Sequence, residues 1–161
     1  MPDPAGLEIA IPGEDPLVLR HLVLDLNGTL ARDGALLSGV AERVVALAPR
    51  IATVLVSGDT FGTAAAVAMT LGCRHIGLEA TRQGAQKLLV VEGFGPAHVV
   101  MIGNGRNDAP ALAAAALGIC VLGPEGAAAE ALSAARVVVG SPTDALDLLA
   151  HPDRLVATLR R

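Results

Sequence analysis

The stretch Leu22-Val23-Leu24-Asp25-Leu26-Asn27-Gly28-Thr29-Leu30 decides the fold. An apolar run ends in Asp25, and Asn27-Gly28 then turns the backbone. A carboxylate therefore stands at the solvent-facing carboxyl end of a buried strand, followed by a loop whose N–H groups can face an anion. A second stretch, Met101-Ile102-Gly103-Asn104-Gly105-Arg106-Asn107-Asp108, repeats the pattern of an apolar strand running into a glycine-rich polar loop. Asn27, Asn104 and Asn107 are the only asparagines, and all fall in these two loops. The only lysine, Lys87, lies shortly before the second. In a chain that is 52% hydrophobic, rare polar types confined to strand ends mark a site.

Composition narrows the class. At 161 residues the sequence predicts one domain, 1–161, large enough to bury roughly 70% of its unfolded surface. A net charge of −4 and a pI near 5.5 argue against a nucleic-acid partner, which selects for a basic face. Phe61 and Phe94 are the only aromatic residues of the Phe, Tyr and Trp kind, so stacking platforms for bases are absent. Cys73 and Cys120 match no metal-ligand spacing and read as small buried residues in a reducing compartment. The opening Met1-Pro2-Asp3-Pro4 lacks the basic start and apolar core of a signal peptide. The longest uncharged run, Ala109 to Pro124, falls short of the ~20 residues needed to span a bilayer. The expectation is a cytoplasmic protein with no membrane partner.

The pattern along the chain predicts an α/β fold. Leu7–Ile11 and Leu17–Leu24, separated by the turn residues Pro12 to Pro16, read as an N-terminal β-hairpin. Helical spacing over Val40–Leu47 is followed by a strand (Ile51–Val56), a helix (Phe61–Leu71) closed by Gly72, and a short strand (His75–Leu78). A helix around Lys87 precedes the strand His98–Ile102, and Asn107-Asp108 open an Ala-rich helix ending near Gly118. Ile119–Leu122, a helix over Ala127–Ala135, Val137–Val139 and one or two C-terminal helices complete the pattern. Apolar strands without alternation, separated by helices, indicate a parallel sheet covered on both faces.

In such a sheet, ligands bind at the carboxyl ends of strands near a switch in strand order. Three loops sit there: Asp25–Leu30, Ser57-Gly58-Asp59-Thr60 and Gly103–Asp108. With Lys87 they offer a carboxylate nucleophile, a hydroxyl, an ammonium, glycine-rich N–H groups and a second acidic position. Phosphoryl transfer needs that set: an in-line nucleophile, donors for the equatorial oxygens, and oxygen ligands for Mg2+. Other readings of single segments stay open. Asp25-Leu26-Asn27-Gly28 alone is compatible with an ordinary Asx turn, and Ser57 with a helix N-cap. Gly103-Asn104-Gly105 is compatible with the start of a dinucleotide fingerprint, although the charge of Asp108 at the third glycine position opposes a pyrophosphate. Asp59 and Asn107 read as loop-shaping residues, and no chemistry falls to His21, His75, His98 or His151.

Taken together in order and spacing, Asp25-Leu26-Asn27-Gly28-Thr29-Leu30, Ser57-Gly58-Asp59, Lys87 and Gly103-Asn104-Gly105-Arg106-Asn107-Asp108-Ala109-Pro110-Ala111-Leu112 resemble the four motifs of the haloacid dehalogenase superfamily. They are most similar to its soluble P-type ATPase-like members. The resemblance runs from Leu22 to Val139 and implies a three-layer, Rossmann-like parallel sheet without a cap. About 27 residues between Thr29 and Ser57 leave no room for the nucleotide-binding insertion of the ATPases, whose membrane helices also have no counterpart, so an ion pump is not expected. The resemblance implies Asp25 as nucleophile in an aspartyl-phosphate mechanism. It implies Mg2+ held by Asp25, the backbone carbonyl of Asn27, Asn104 and Asp108, and phosphoryl oxygens bound by Ser57, Lys87 and backbone N–H groups at Gly28 and Gly58.

Two departures weigh on function. Family phosphatases carry an aspartate as general acid and base two residues after the nucleophile; this chain has Asn27. The first acidic residue of the last motif is replaced by Asn104. An amide cannot shuttle a proton, a role worth roughly 10²–10⁴-fold in rate. Two hypotheses follow: a slow phosphohydrolase or phosphotransferase for a small phosphorylated metabolite or acyl phosphate, or a non-catalytic phosphate-binding regulatory or scaffold protein. A capless site open to water further predicts a homodimer or homotetramer, with a partner near the Arg32–Leu37 loop acting as a flap.

Overall fold

The computed structural model describes residues 4–161. Met1–Asp3, on which part of the leader expectation rests, lie outside the described residues. The elements in order are β1 (Leu7–Ile9), β2 (Leu17–Leu19), β3 (His21–Asp25), β4 (Ala31–Arg32), β5 (Ala35–Leu36), α1 (Val40–Leu47), β6 (Ala52–Ser57) and α2 (Ala64–Leu71). They continue with β7 (Arg74–Gly77), α3 (Gln83–Phe94), β8 (Val99–Gly103), α4 (Ala109–Ala114) and β9 (Leu117–Val121). The last are α5 (Ala129–Ala134), β10 (Val137–Val139), α6 (Pro142–Ala150) and α7 (Pro152–Leu159). Single 3₁₀ turns over Pro96–His98 and Arg106–Asp108 lead into β8 and α4.

Six strands form one parallel sheet in the order β10-β9-β8-β3-β6-β7. The chain runs outward from β3 to β6 and β7, then returns to lay β8 on the other side of β3. The carboxyl end of β3 is therefore the switch in strand order. Leu22 and Leu24 enter one core with Val44, Leu47, Val67, Leu71, Leu146 and Leu155, while Val23 enters another with Val91, Met101, Leu112 and Ala131. Successive residues of a strand face opposite sides, so a run of five apolar or terminal residues is buried on both. Helices α1, α2, α6 and α7 cover one face and α3, α4 and α5 the other. The ends are set locally: Gly72 closes α2 at φ 64°, and the Ser141 hydroxyl accepts the Asp144 N–H at 3.1 Å to open α6 behind Pro142.

The expected hairpin strand Leu17–Leu24 is in fact two strands. Leu17–Leu19 pairs with Leu7–Ile9, while His21–Asp25 joins the large sheet. Arg20 is the break, because its backbone serves the large sheet's neighbours: its N–H donates to His98 O at 2.8 Å and its carbonyl accepts from Ala52 N at 2.9 Å. The Ala-rich helix ends at Ala114, short of Gly118. Gly118 lies inside β9, where a Cβ would collide with the Leu112 carbonyl. Arg32–Leu37, expected as a loop, holds a hairpin turned by Asp33 and Gly34 at φ 51° and 81°. Two successive positive φ values in an Asp-Gly pair are the signature of a type I′ turn.

Candidate active site

Asp25 ends β3, Ser57 ends β6, and Gly103 ends β8, so three adjacent strands deliver the three loops to one edge. Contrary to the expectation of a solvent-facing carboxylate, Asp25 is only 6% exposed. Lys87, from α3, is 1% exposed and Asp108 is fully buried. Lys87 Nζ donates to Asp25 Oδ1 at 2.7 Å and to Asp108 Oδ1 at 2.6 Å. Uncompensated burial of a lysine is prohibitive; here two carboxylates compensate it. Burial, the largest influence, pushes the ammonium down, but the charges and hydrogen bonds of Asp25 and Asp108 outweigh it and hold Lys87 above its ordinary range.

The two carboxylates are not equivalent. Asp108 Oδ2 accepts the N–H groups of Asn104 at 3.0 Å and Gly105 at 2.8 Å. Gly103 makes this fold-back possible, since a Cβ there would sit 2.5 Å from Asp108 Cγ. Asp25 has only the Thr29 hydroxyl on its second oxygen, at 2.7 Å. Two carboxylates share one ammonium, and the ionised form of the less hydrogen-bonded Asp25 is left only partly compensated. Its carboxyl is pushed up to about 6, first by burial, then by the charge of Asp108, against the pull of Lys87 and Thr29.

The remaining expected residues fall as follows. Ser57 is buried, and its Oγ accepts the Asp59 N–H at 2.9 Å, which leaves the hydroxyl hydrogen to donate elsewhere. The helix-capping role open to Ser57 belongs to Asp59, whose Oδ1 accepts Ala64 N–H at 2.8 Å at the head of α2. Gly28 is required at φ 79°, where a Cβ would lie 2.5 Å from Asn104 Nδ2. Its N–H donates to Ala31 O at 2.9 Å, closing the turn. Asp108, expected on the metal, accepts from Lys87 on one oxygen and from the Asn104 and Gly105 amides on the other. Gly58 lies against Gln83, and Asn107 Nδ2 donates to Gln83 Oε1 at 2.9 Å.

Amide oxygens of the kind that suit a hard cation stand in the loops after β3 and β8. Asn104 Oδ1 lies 3.0 Å from the Thr29 hydroxyl that also bonds Asp25 Oδ2, and Asn27 Oδ1 is buried with no hydrogen-bond partner. A buried amide oxygen without a partner is rare, and a cation or bound water meets that need. The donor set fits Mg2+ through Asp25, Asn27 and Asn104, with one anionic ligand. Among the described residues no group of three or more His, Cys, Asp or Glu is placed to hold a metal. Asn104 also ties down the loop after β9: its Nδ2 donates to Gly126 O at 2.9 Å and its carbonyl accepts Ala128 N–H at 2.9 Å. An aspartate could not make the first of these bonds.

Sequence reading assigned no role to Thr29 or Gln83. Thr29 was within reach, since a hydroxyl four residues after a strand-end aspartate can bond back across the turn. Gln83 carried no signal beyond its place one helical turn before Lys87.

The site residues bring carboxylate, ammonium, hydroxyl and amide groups to one edge of an α/β sheet, and comparison with known proteins identifies the family. The chain belongs to the haloacid dehalogenase-like hydrolase family, whose sequence model matches residues 8–116. It is 48% identical over 62 residues to an uncharacterized protein of Methanocaldococcus jannaschii, covering 38% of this chain and 67% of that one. It is 34% identical over 128 residues to the potassium-transporting ATPase ATP-binding subunit of Xanthomonas campestris, covering 77% of this chain but only 18% of that subunit. The fold is similar to the 3-deoxy-D-manno-octulosonate 8-phosphate phosphatase of Moraxella catarrhalis, solved with magnesium and phosphate, at TM-score 0.63 and 17% identity, covering 88% of this chain and 94% of that one. The cobalt-bound enzyme of that name from Haemophilus influenzae gives TM-score 0.67 and 14% identity, covering 89% and 94%. Among the described residues no helix is long and apolar enough to cross a membrane.

Proposed function

We propose that this protein is a Mg2+-dependent phosphohydrolase or phosphotransferase that forms an aspartyl-phosphate on Asp25 and releases it slowly. The observation that carries the reading is the buried Asp25–Lys87–Asp108 arrangement at the strand-order switch. An Asp25 oxygen attacks phosphorus, the bond to the leaving oxygen breaks, and the Lys87 ammonium and Ser57 hydroxyl meet the charge on the phosphoryl oxygens. Asp25, Asn27 and Asn104 would hold Mg2+, which would supply a further positive charge there. Asp108 keeps Lys87 aimed at the nucleophile. Water must then attack the acyl phosphate, and Asn27 cannot remove its proton, so the phosphorylated state outlives its formation.

A small phosphorylated metabolite or an acyl phosphate suits the site, because within the described residues only the β4–β5 hairpin and α1 lie between β3 and β6. An acyl phosphate suits it better, since its leaving group needs no proton. The similarity in fold to phosphatases of a phosphorylated sugar acid supports the substrate class. The reading includes cytoplasmic action by one domain, assembled as a dimer or tetramer around the exposed hairpin. The second reading, a non-catalytic phosphate-binding protein, is favoured by the replacement of two carboxylates with Asn27 and Asn104.

Incubation with acetyl phosphate and Mg2+, followed by mass spectrometry, separates the two. The expected result is a hydroxylamine-labile phosphoryl adduct on Asp25, shortened in lifetime by roughly 10²-fold in Asn27→Asp. Phosphate binding without any adduct supports the non-catalytic reading instead.

A further inference from the structure

Gln83 opens α3, four residues before Lys87, so the two side chains share one face of the helix a turn apart. Lys87 reaches Asp25 and Asp108, while Gln83 reaches the seam between the Ser57–Thr60 and Gly103–Asp108 loops. Its carboxamide is oriented, because Asn107 Nδ2 donates to Gln83 Oε1 at 2.9 Å. That bond turns Nε2 toward the other loop, where it lies so close to Gly58 that a Cβ on the glycine would collide with it. Nε2 donates no hydrogen bond to any described residue. An amide nitrogen carries two N–H groups, and here both are free beside the residue that follows Ser57.

The position is built by several contacts. Gly84 lets α3 approach the loop, since a Cβ there would stand 3.3 Å from Asn107 O. The Gln86 side chain accepts from Glu79 N at 3.0 Å and donates to Thr81 O at 2.7 Å, tying the entry to the helix. Arg82 adopts φ 60° to start α3 at this point. A left-handed non-glycine residue is unfavourable and persists where its surroundings enforce it.

We propose that Gln83 is a phosphoryl-binding residue whose Nε2 donates to a phosphoryl oxygen beside the Ser57 hydroxyl and the Lys87 ammonium. The inference rests on the phosphoryl-transfer reading of this site. A neutral donor suits the position for an electrostatic reason. A lysine or arginine there would compete with Lys87 for Asp25 and Asp108, whereas an amide adds a hydrogen bond to the anion and leaves the charge balance alone.

Gln83→Glu keeps an oxygen for Asn107 and replaces the donor with an anion; Gln83→Ala removes the donor without adding charge. Binding of inorganic phosphate with Mg2+ is measured by calorimetry, alongside the acetyl phosphate dependence of adduct formation and the unfolding temperature. The expected result is phosphate binding weaker by about tenfold for Gln83→Ala and more for Gln83→Glu, a loss in the range of one hydrogen bond to a charged group. The acetyl phosphate concentration for half-maximal rate rises in step, while the saturated rate and the unfolding temperature hold. Wild-type binding in both variants overturns the inference, and so does a loss that only tracks lowered unfolding temperature, which assigns Gln83 to the seam alone. Failure of the wild-type protein to bind phosphate or form an adduct overturns the underlying phosphoryl-transfer reading and this inference with it.

Discussion

The two ends of the central strands differ in what they bury. At the carboxyl ends of β3, β6 and β8, Asp25, Ser57, Lys87 and Asp108 are buried, and short hydrogen bonds link Lys87 to Asp25 and Asp108. At the amino ends, His21 stacks on Phe94 with ring centroids 4.5 Å apart, and the Arg74 guanidinium lies 5.9 Å from the Phe94 ring. That end also has a hollow of about 330 Å³ lined by Pro4, Ala5, Arg20, His21 and Ala52. It has room, whereas the constellation of ionisable groups lies at the carboxyl end. Concavity is the usual guide to a site, but a phosphoryl group needs converging donors more than a deep cavity. At the carboxyl end the polar groups are placed by strand ends, and the glycines let them approach.

The sharpest way to break this contrast is to remove the nucleophile. Asp25→Asn is expected to abolish acetyl phosphate labelling and hydrolysis, by on the order of 10³-fold or more. His21→Ala or Arg74→Ala, at the other end, is expected to leave both within about twofold, as for surface positions remote from the chemistry. Equal losses at the two ends, measured side by side, would dissolve the distinction.

Removing the shared cation tests the buried charges themselves. Lys87→Met leaves two carboxylates facing each other without compensation, with an expected loss of about 3–5 kcal/mol in urea unfolding at neutral pH. Arg74→Ala loses an exposed cation–π contact, worth about 0.5–1 kcal/mol. Near-equal losses would mean that the triad is no more than a surface ion pair.

The pH dependence of the metal-free protein gives a smaller effect with a definite sign. Asp25 titrates near 6 in the folded protein against an ordinary value of 3.8, so the folded state binds its proton more tightly than the unfolded chain. The contribution of Asp25 to stability is therefore greatest below about pH 4, falls as pH rises to about 6, and is flat above, by roughly 3 kcal/mol in total. Lys87, raised in the folded state, stabilises below its ordinary value of 10.5 and stops doing so only in strong alkali. Urea unfolding between pH 4 and 7 in a chelator checks the slope, with Asp25→Asn removing it. A wild-type slope unchanged in Asp25→Asn would assign the effect to other groups.

Much of the site was legible because its residues are rare and stand at element boundaries. Asp25, Ser57 and Lys87 stand out by rarity or position, and the strands that end in Asp25 and Ser57 follow from apolar runs too long to alternate. The breaks between elements were less legible. Leu17–Leu24 is one continuous apolar run interrupted by Arg20 and His21, and nothing local says that Arg20 ends one sheet and begins another. The bond that Arg20 N–H donates to His98 and the one its carbonyl accepts from Ala52 decide it, and both partners are distant in sequence.

By itself the sequence determined the parallel sheet, the order of the loops and the chemical kinds present at their tips, because periodicity and strand-end residues are local properties. Only the tertiary structure decided how those groups divide the work. Asp25 ends β3 and Asp108 closes the 3₁₀ turn after β8; the residue type is the same, and they differ because the Asn104 and Gly105 amides reach one of them and not the other. The Gly28 N–H is taken by Ala31, Asn104 ties down the loop at Gly126, and Gln83 faces Gly58 across a seam between two loops. Each of these outcomes depends on distances of about 3 Å between hydrogen-bonding groups, a scale set by how helices pack on the sheet and absent from any pattern along the chain.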